Sequence, residues 1–286
     1  WVTSNNGLSF SPLFDREAVM TIGDIAVDWR RNTIWVGTGE NNSSRSSYSG
    51  AGIYKSIDNG KSWSNMGLPE SHHIGRIVID AVNPDIVQVA VLGHLYSDNK
   101  ERGIYKTTDG GNNWQVISPD LTRESWDIPA SVGIYTTEQL KTMPRRGVIY
   151  TVAPSPKDAA TIWCGTDDGL IHLTKDGGKT WKDVTPPGIT SWSKVSLMDA
   201  SHFDVNTAYA AVNRIRCDDM HPHIYKTTDA GKTWTEIVTG LPNDPINAVR
   251  EDPTTKGLLF AGSERAVYVS FDDGGHWQTL RLNMPA

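Results

Sequence analysis

An all-β fold of the propeller type, with five complete four-stranded blades and one partial blade, is predicted by three features of this 286-residue chain. A turn motif recurs along its length, at intervals close to those of propeller blades. The stretches between copies read as short strands bounded by Asn, Asp, Pro and Gly. The composition, with 11 Trp, 9 Tyr and 26 Gly, favours strands and tight turns over helices.

The motif is Ser/Thr-x-Asp-x-Gly-x-x-Trp. Its copies are Ser56, Asp58, Gly60 and Trp63; Thr107, Asp109, Gly111 and Trp114; Thr174, Asp176, Gly178 and Trp181; Thr227, Asp229, Gly231 and Trp234; and Ser270, Asp272, Gly274 and Trp277. A degraded copy, Thr3, Asn5, Gly7 and Phe10, opens the chain, and successive copies lie 53, 51, 67, 53 and 43 residues apart. An aspartate can accept hydrogen bonds from turn N–H groups, and glycine supplies the positive φ of a tight reversal. The Trp begins the next strand, where its ring packs between sheets. Five copies of one acid read as structural staples rather than as catalysts.

Before each turn lies a strand ending at the hydroxyl residue ("GIYKS", "GIYKT", "LIHLT", "HIYKT", "AVYVS"), and before that two further strand-like runs, as in "IGDIAVD" and "TIWVGTG". Four strands per repeat make a blade. The chain is read as a single propeller domain over 1–286: a partial blade at 1–14, blades at 20–66, 75–118, 146–185, 193–238 and 245–282, and a long inter-blade loop at 119–145. The first two strands of the opening blade are absent, so the chain is expected to be a piece of a larger propeller, or one completed by a partner chain or segment.

The formal charge of −6 and the lack of a basic block argue against a nucleic-acid partner. No apolar run reaches the ~20 residues of a membrane-spanning helix, so membrane insertion is not expected. Cys164 and Cys217 fall in different repeats and read as separate thiols. The loop "CDDMHPH" (Cys217, Asp218, Asp219, His221, His223) has metal-ligating residue types, but loops rich in Asp and His are common without an ion, and no metal is expected. "SHH" at 71–73 reads as a polar turn between blades. No phosphate loop, dinucleotide motif or Ser/His/Asp signature is present, so no cofactor is expected.

The repeated turn is the Asp-box, or BNR repeat, and the chain resembles the Asp-box β-propeller superfamily, which includes sialidases, xyloglucanases, a photosystem II assembly factor and the luminal propeller of sortilin. Longer phrases ("VGTGENN", "ISPDLTR", "YTVAPSP", "GTDDGLIHLTKDGGKTW", "VYVSFDDGGHWQ") are similar to those of secreted bacterial sortilin-like or BNR-repeat "glycosyl hydrolases". The resemblance implies an extracytoplasmic bacterial protein. In such relatives several blades separate "GIYKTTDGG" from "ISPDLTR"; here the two are nearly contiguous.

In such a blade the first turn and the Asp-box turn share one face, and the loops after the second strand share the other with the blade linkers. The turns are short; the loops, at 37–52, 93–103, 213–223 and 118–146, are long and individual, so a site is expected on the loop face. Strand ends there place Asp24, Glu40, Asn41, His73, Arg76, His94, Asp167, Asp168, Arg214, Glu264 and Arg265, with Tyr48, Tyr96, Trp126 and Tyr135 as stacking platforms.

Asn41, His73, Arg76, His94, Asp168, Arg214, Arg265 and Trp126 are the expected ligand-binding residues. A glycosidase needs two carboxylates facing one cleft, and Asp24, Glu40 and Glu264 are the candidates. Arg76, Arg214 and Arg265 could serve a sialidase, but the amino-terminal arginine motif of that group is missing. The preferred reading is a non-catalytic module binding a glycan or a protein or peptide ligand. The alternatives are a glycoside hydrolase acting on a polysaccharide and a structural subunit of an extracellular assembly.

Overall fold

Each complete repeat folds as one antiparallel four-stranded sheet with its strands in sequence order. The structure is a computed structural model and describes residues 1–42, 47–95, 97, 100–125 and 147–280. Two compact units are present, Trp1–Val116 and Ile117–Ala286. Their boundary falls where "GIYKTTDGG" meets "ISPDLTR".

The first unit holds β1 (Ile22–Asp28), β2 (Thr33–Thr38), β3 (Ile53–Ser56) and β4 (Ser64–Asn65), then β5 (Ile74–Ile79), β6 (Val87–Val91), β7 (Gly103–Thr107) and β8 (Gln115–Val116). The second holds three sheets: β9 (Ile149–Ser155), β10 (Asp158–Thr166), β11 (Ile171–Thr174) and β12 (Lys182–Asp183); β13 (Lys194–Ala200), β14 (Ala208–Asn213), β15 (Ile224–Thr227) and β16 (Thr235–Glu236); and β17 (Ile246–Glu251), β18 (Leu259–Ser263), β19 (Val267–Ser270) and β20 (Gln278–Thr279). Two of the second strands are wholly buried: every residue of β6 and β14 is enclosed, as expected for strands covered on both faces. Neighbouring sheets within a unit bury apolar side chains between them, around Trp35 and Ile77 in the first unit and around Trp163 and Met198 in the second.

The Asp-box turns are built alike. The Ser/Thr hydroxyl donates to Asp Oδ1 at 2.7–2.9 Å and accepts the N–H of the motif glycine at 2.7–3.0 Å. The same Oδ1 accepts the N–H four residues on, from Ser62, Asn113, Thr180, Thr233 and His276. In four copies that residue's side chain also donates to Oδ2; His276 does not. These bonds favour the ionised form. Led by the Ser62, Asn113 and Thr233 side chains respectively, they hold Asp58, Asp109 and Asp229 at about 2. The opening copy repeats the pattern with Asn5: Gly7 N donates to Thr3 Oγ1 at 2.9 Å and Ser9 N to Asn5 Oδ1 at 3.0 Å.

A second repeated bond fixes the blade's turn face. The residue after each Asp-box aspartate (Asn59, Gly110, Gly177, Ala230, Asp273) donates its N–H to the turn between the first two strands of its own sheet, at Asn32, Asp85, Asn206 and Gly257, or to the start of the second strand, at Ala160 in β10. Both short turns of a blade thus lie together, as the strand directions imply, and the long loops take the opposite end.

Candidate functional site

On the loop face of the second unit, the ends of five strands bring a cation, an aromatic ring and two carboxylates together. Lys194 opens β13 and pairs in register with Asn213, the last residue of β14. Its Nζ sits 3.8 Å from the ring centroid of Tyr150 in β9, a contact worth about 2 kcal/mol when desolvated. Among the described residues the Lys194 ammonium makes no hydrogen bond or ion pair. Burial, reinforced by the Arg216 guanidinium and opposed by Asp167 and Glu264, pulls its ammonium down to about 8. Burial and the charge of Asp167 push the Tyr150 phenol up to about 12.

The surrounding groups are held in place. Asp167, just after β10, accepts the Val148 N–H at 2.8 Å and pairs with Arg216 Nη1 at 3.3 Å. Arg216 lies in the short 3-10 turn Ile215–Cys217 after β14. Glu264, just after β18, accepts Asn247 Nδ2 at 2.8 Å and Asn213 Nδ2 at 3.5 Å through one oxygen. Cations, carboxylates and amides beside an aromatic face can donate to and accept from a polyhydroxylated ligand while one ring stacks on it.

The other residues expected at this face are engaged as follows. Asp24 in β1 accepts the Ile77 N–H at 2.7 Å and pairs with Arg76 at 3.4 Å, joining β1 to β5. Glu40 donates its N–H to the Tyr48 carbonyl at 3.1 Å, and Asn41 donates to the Gly23 carbonyl at 2.9 Å. Tyr48 is exposed and His73 fully buried. Asp168 repeats the Asp-box chemistry, accepting from Thr166 Oγ1 at 2.5 Å while Leu170 N donates to that hydroxyl. Its other oxygen accepts the Arg123 N–H at 2.9 Å. Burial raises its pKa against these bonds. Arg214 pairs with Asp219 and Arg265 with Asp244. Tyr96, Trp126 and Tyr135 lie outside the described residues.

In the loop "CDDMHPH", Asp219 bonds both His221 and His223, and His223 also bonds Glu236. Cys164 and Cys217 are free thiols. A depression of about 660 Å³ beside β20, between Gly240–Pro242 and His276–Thr279, shares no residue with the Lys194 cluster.

Five Asp-box sheets of this topology define a β-propeller protein. No family model matches the chain. It is 24% identical over 299 residues to an oligoxyloglucan-reducing end-specific xyloglucanase of Emericella nidulans, covering 88% of this chain and 35% of that protein. It is 25% identical over 266 residues to sortilin of Danio rerio, covering 80% of this chain and 30% of sortilin. Among solved structures, an ancestral GH74 enzyme superposes with a TM-score of 0.61 at 18% identity, over 92% of this chain and 31% of the other. YCF48 bound to a D1 peptide superposes with a TM-score of 0.53 at 16% identity, over 90% and 66%. The chain belongs to the Asp-box (BNR) β-propeller superfamily, and spans about a third of the length of the xyloglucanase and of sortilin.

Proposed function

We propose that this chain is a glycan-engaging propeller acting outside the cytoplasm, whose ligand is a β-linked polysaccharide of the xyloglucan class. The observation that carries the reading is the Lys194 cluster. Its cation has no protein hydrogen bond among the described residues and sits on an aromatic face, in the field of two carboxylates held by neighbouring amides and a guanidinium. A sugar supplies the missing acceptors for Lys194 and donors for Asp167 and Glu264, and Tyr150 offers a stacking surface. The xyloglucanase names of two distant relatives point to the same ligand class.

Hydrolysis is the second reading, favoured by those names and by two carboxylates acting on one ammonium. The two readings separate on a polysaccharide panel that records binding and reducing-end release together. Binding without release, weakened in Tyr150→Ala, is the expected result. Release abolished by Glu264→Gln would replace the binding reading with a hydrolase. Absence of both would overturn the glycan assignment and leave a protein or peptide ligand.

A further inference from the structure

We infer that the first unit carries a three-ligand site for a late divalent transition ion, zinc foremost, formed by Glu70, His72 and His94. One donor atom from each residue lies within 4.8 Å of the other two. Glu70 Oε2 is 3.9 Å from His72 Nε2 and 3.8 Å from His94 Nε2. The two imidazoles are stacked with ring centroids 3.6 Å apart. Imidazole nitrogens with one carboxylate are a set that zinc accepts, and three protein ligands leave its fourth position open.

The scaffold around the three donors is fixed from both sides. Glu70 sits in the 3-10 turn Pro69–Ser71 between β4 and β5, and His72 follows it with φ 52°. His94 follows β6 across the loop face. Its Nδ1 contacts Ser97 Oγ at 3.1 Å, which turns Nε2 toward Glu70. A hydrogen bond to the second ring nitrogen is how metal-bound histidines are usually oriented. Arg102 donates to the His94 and Ser97 carbonyls.

A tetrahedral ion with bonds of about 2.0–2.1 Å sets its donors roughly 3.3 Å apart. Glu70, whose side chain is 63% exposed, therefore has to draw in by about half an ångström. The rings must also splay, because at 25° between planes their in-plane lone pairs do not meet at one ion. Both histidine side chains are about a third exposed, which leaves room for that motion. A bound ion would clip the blade linker to the loop after β6. Neither histidine lies in a spacing motif: they are separated by 22 residues, and only the fold brings them together.

The test is calorimetric titration of the intact, untagged protein with zinc chloride, alongside Glu70→Gln, His72→Ala and His94→Ala. His221→Ala serves as a control for the other histidine cluster. One zinc per chain is expected, with affinity reduced at least about ten-fold in each of the three variants and unchanged in the control. Zinc should raise the melting temperature of the wild type but not of His94→Ala, and Glu70→Gln keeps the shape of the turn should a histidine variant fold poorly. No binding, binding indifferent to the three substitutions, or binding lost in His221→Ala would each overturn the assignment.

Discussion

At the residue scale, the motif glycine is required twice over. Gly231 has φ 76°, and a Cβ there would lie 2.6 Å from Val184 Cβ in the preceding repeat. Gly231→Ala should therefore cost about 2 kcal/mol or more, from the left-handed backbone and the overpacking together, measurable by urea denaturation. Thr227 is buried and its hydroxyl is the acceptor for Gly231 N–H. Thr227→Val leaves that N–H without a partner and should cost about 1–3 kcal/mol.

The aspartates give the fold an acid limit. Asp58, Asp109 and Asp229 titrate at about 2 when folded, below the ~3.9 of an unperturbed Asp. Between these values the unfolded chain binds more protons than the native one. Their contribution is thus complete above about pH 4 and is lost as pH falls through 2. Melting temperature against pH should fall through that window, and less steeply in Asp229→Asn.

Lys194 works in the opposite sense. Its folded value of about 8 lies below the ~10.4 of a free lysine, so the native state carries the cost of a buried charge below pH 8. Stability then rises between about 8 and 10.4. Lys194→Met should remove that rise and leave the melting temperature at pH 7 equal to or above that of the wild type. A lower melting temperature would mean that the ammonium has a structural role.

At the element scale, the motif tryptophan ties each Asp-box turn to the segment just after the previous copy of the motif, within the same compact unit. Trp63, Trp114, Trp181, Trp234 and Trp277 donate Nε1–H, at 2.7–2.9 Å, to the carbonyls of Leu13, Met66, Ile117, Val184 and Ile237. Each acceptor stands three residues after the aromatic residue of the previous copy: Phe10, Trp63, Trp114, Trp181 and Trp234. The side chains at Leu13, Met66, Ile117, Val184 and Ile237 also meet the next motif glycine. The relation is therefore a single joint, and it was present in the repeat alignment as an apolar residue at a constant offset. Trp234→Phe should cost about 1–3 kcal/mol through the unpaired Val184 carbonyl. Trp234→Ala should cost about 3–5 kcal/mol. Equal losses in the two would show that ring volume adds nothing to the hydrogen bond.

At the scale of the whole molecule, the blades were legible because both of their signals are local. A turn needs particular residues within eight positions, and a strand reads from its own apolar pattern. The site was legible only in part. Asp24, Asp168, Arg214 and Arg265 have the residue types of a binding funnel, yet each is bonded to a neighbouring residue. Asp168 could have been recognised, since Thr166-x-Asp168-Gly169 repeats the start of the motif. Tyr150, Lys194 and Arg216 were missed because their meeting depends on where two different repeats begin and end their strands. Register between distant segments sets that, and no window of sequence contains it. Glu264 was named from its strand end and does join the cluster, through the charge it exerts on Lys194.

Whether the Lys194 cluster engages a sugar is decided by calorimetric titration of a xyloglucan oligosaccharide into the wild type and Lys194→Met at pH 7. The expected result is at least about a ten-fold loss of affinity, equivalent to about 1.4 kcal/mol, in a variant whose melting temperature has not fallen. Equal affinity in the two proteins would show that the Lys194 ammonium does not touch the sugar.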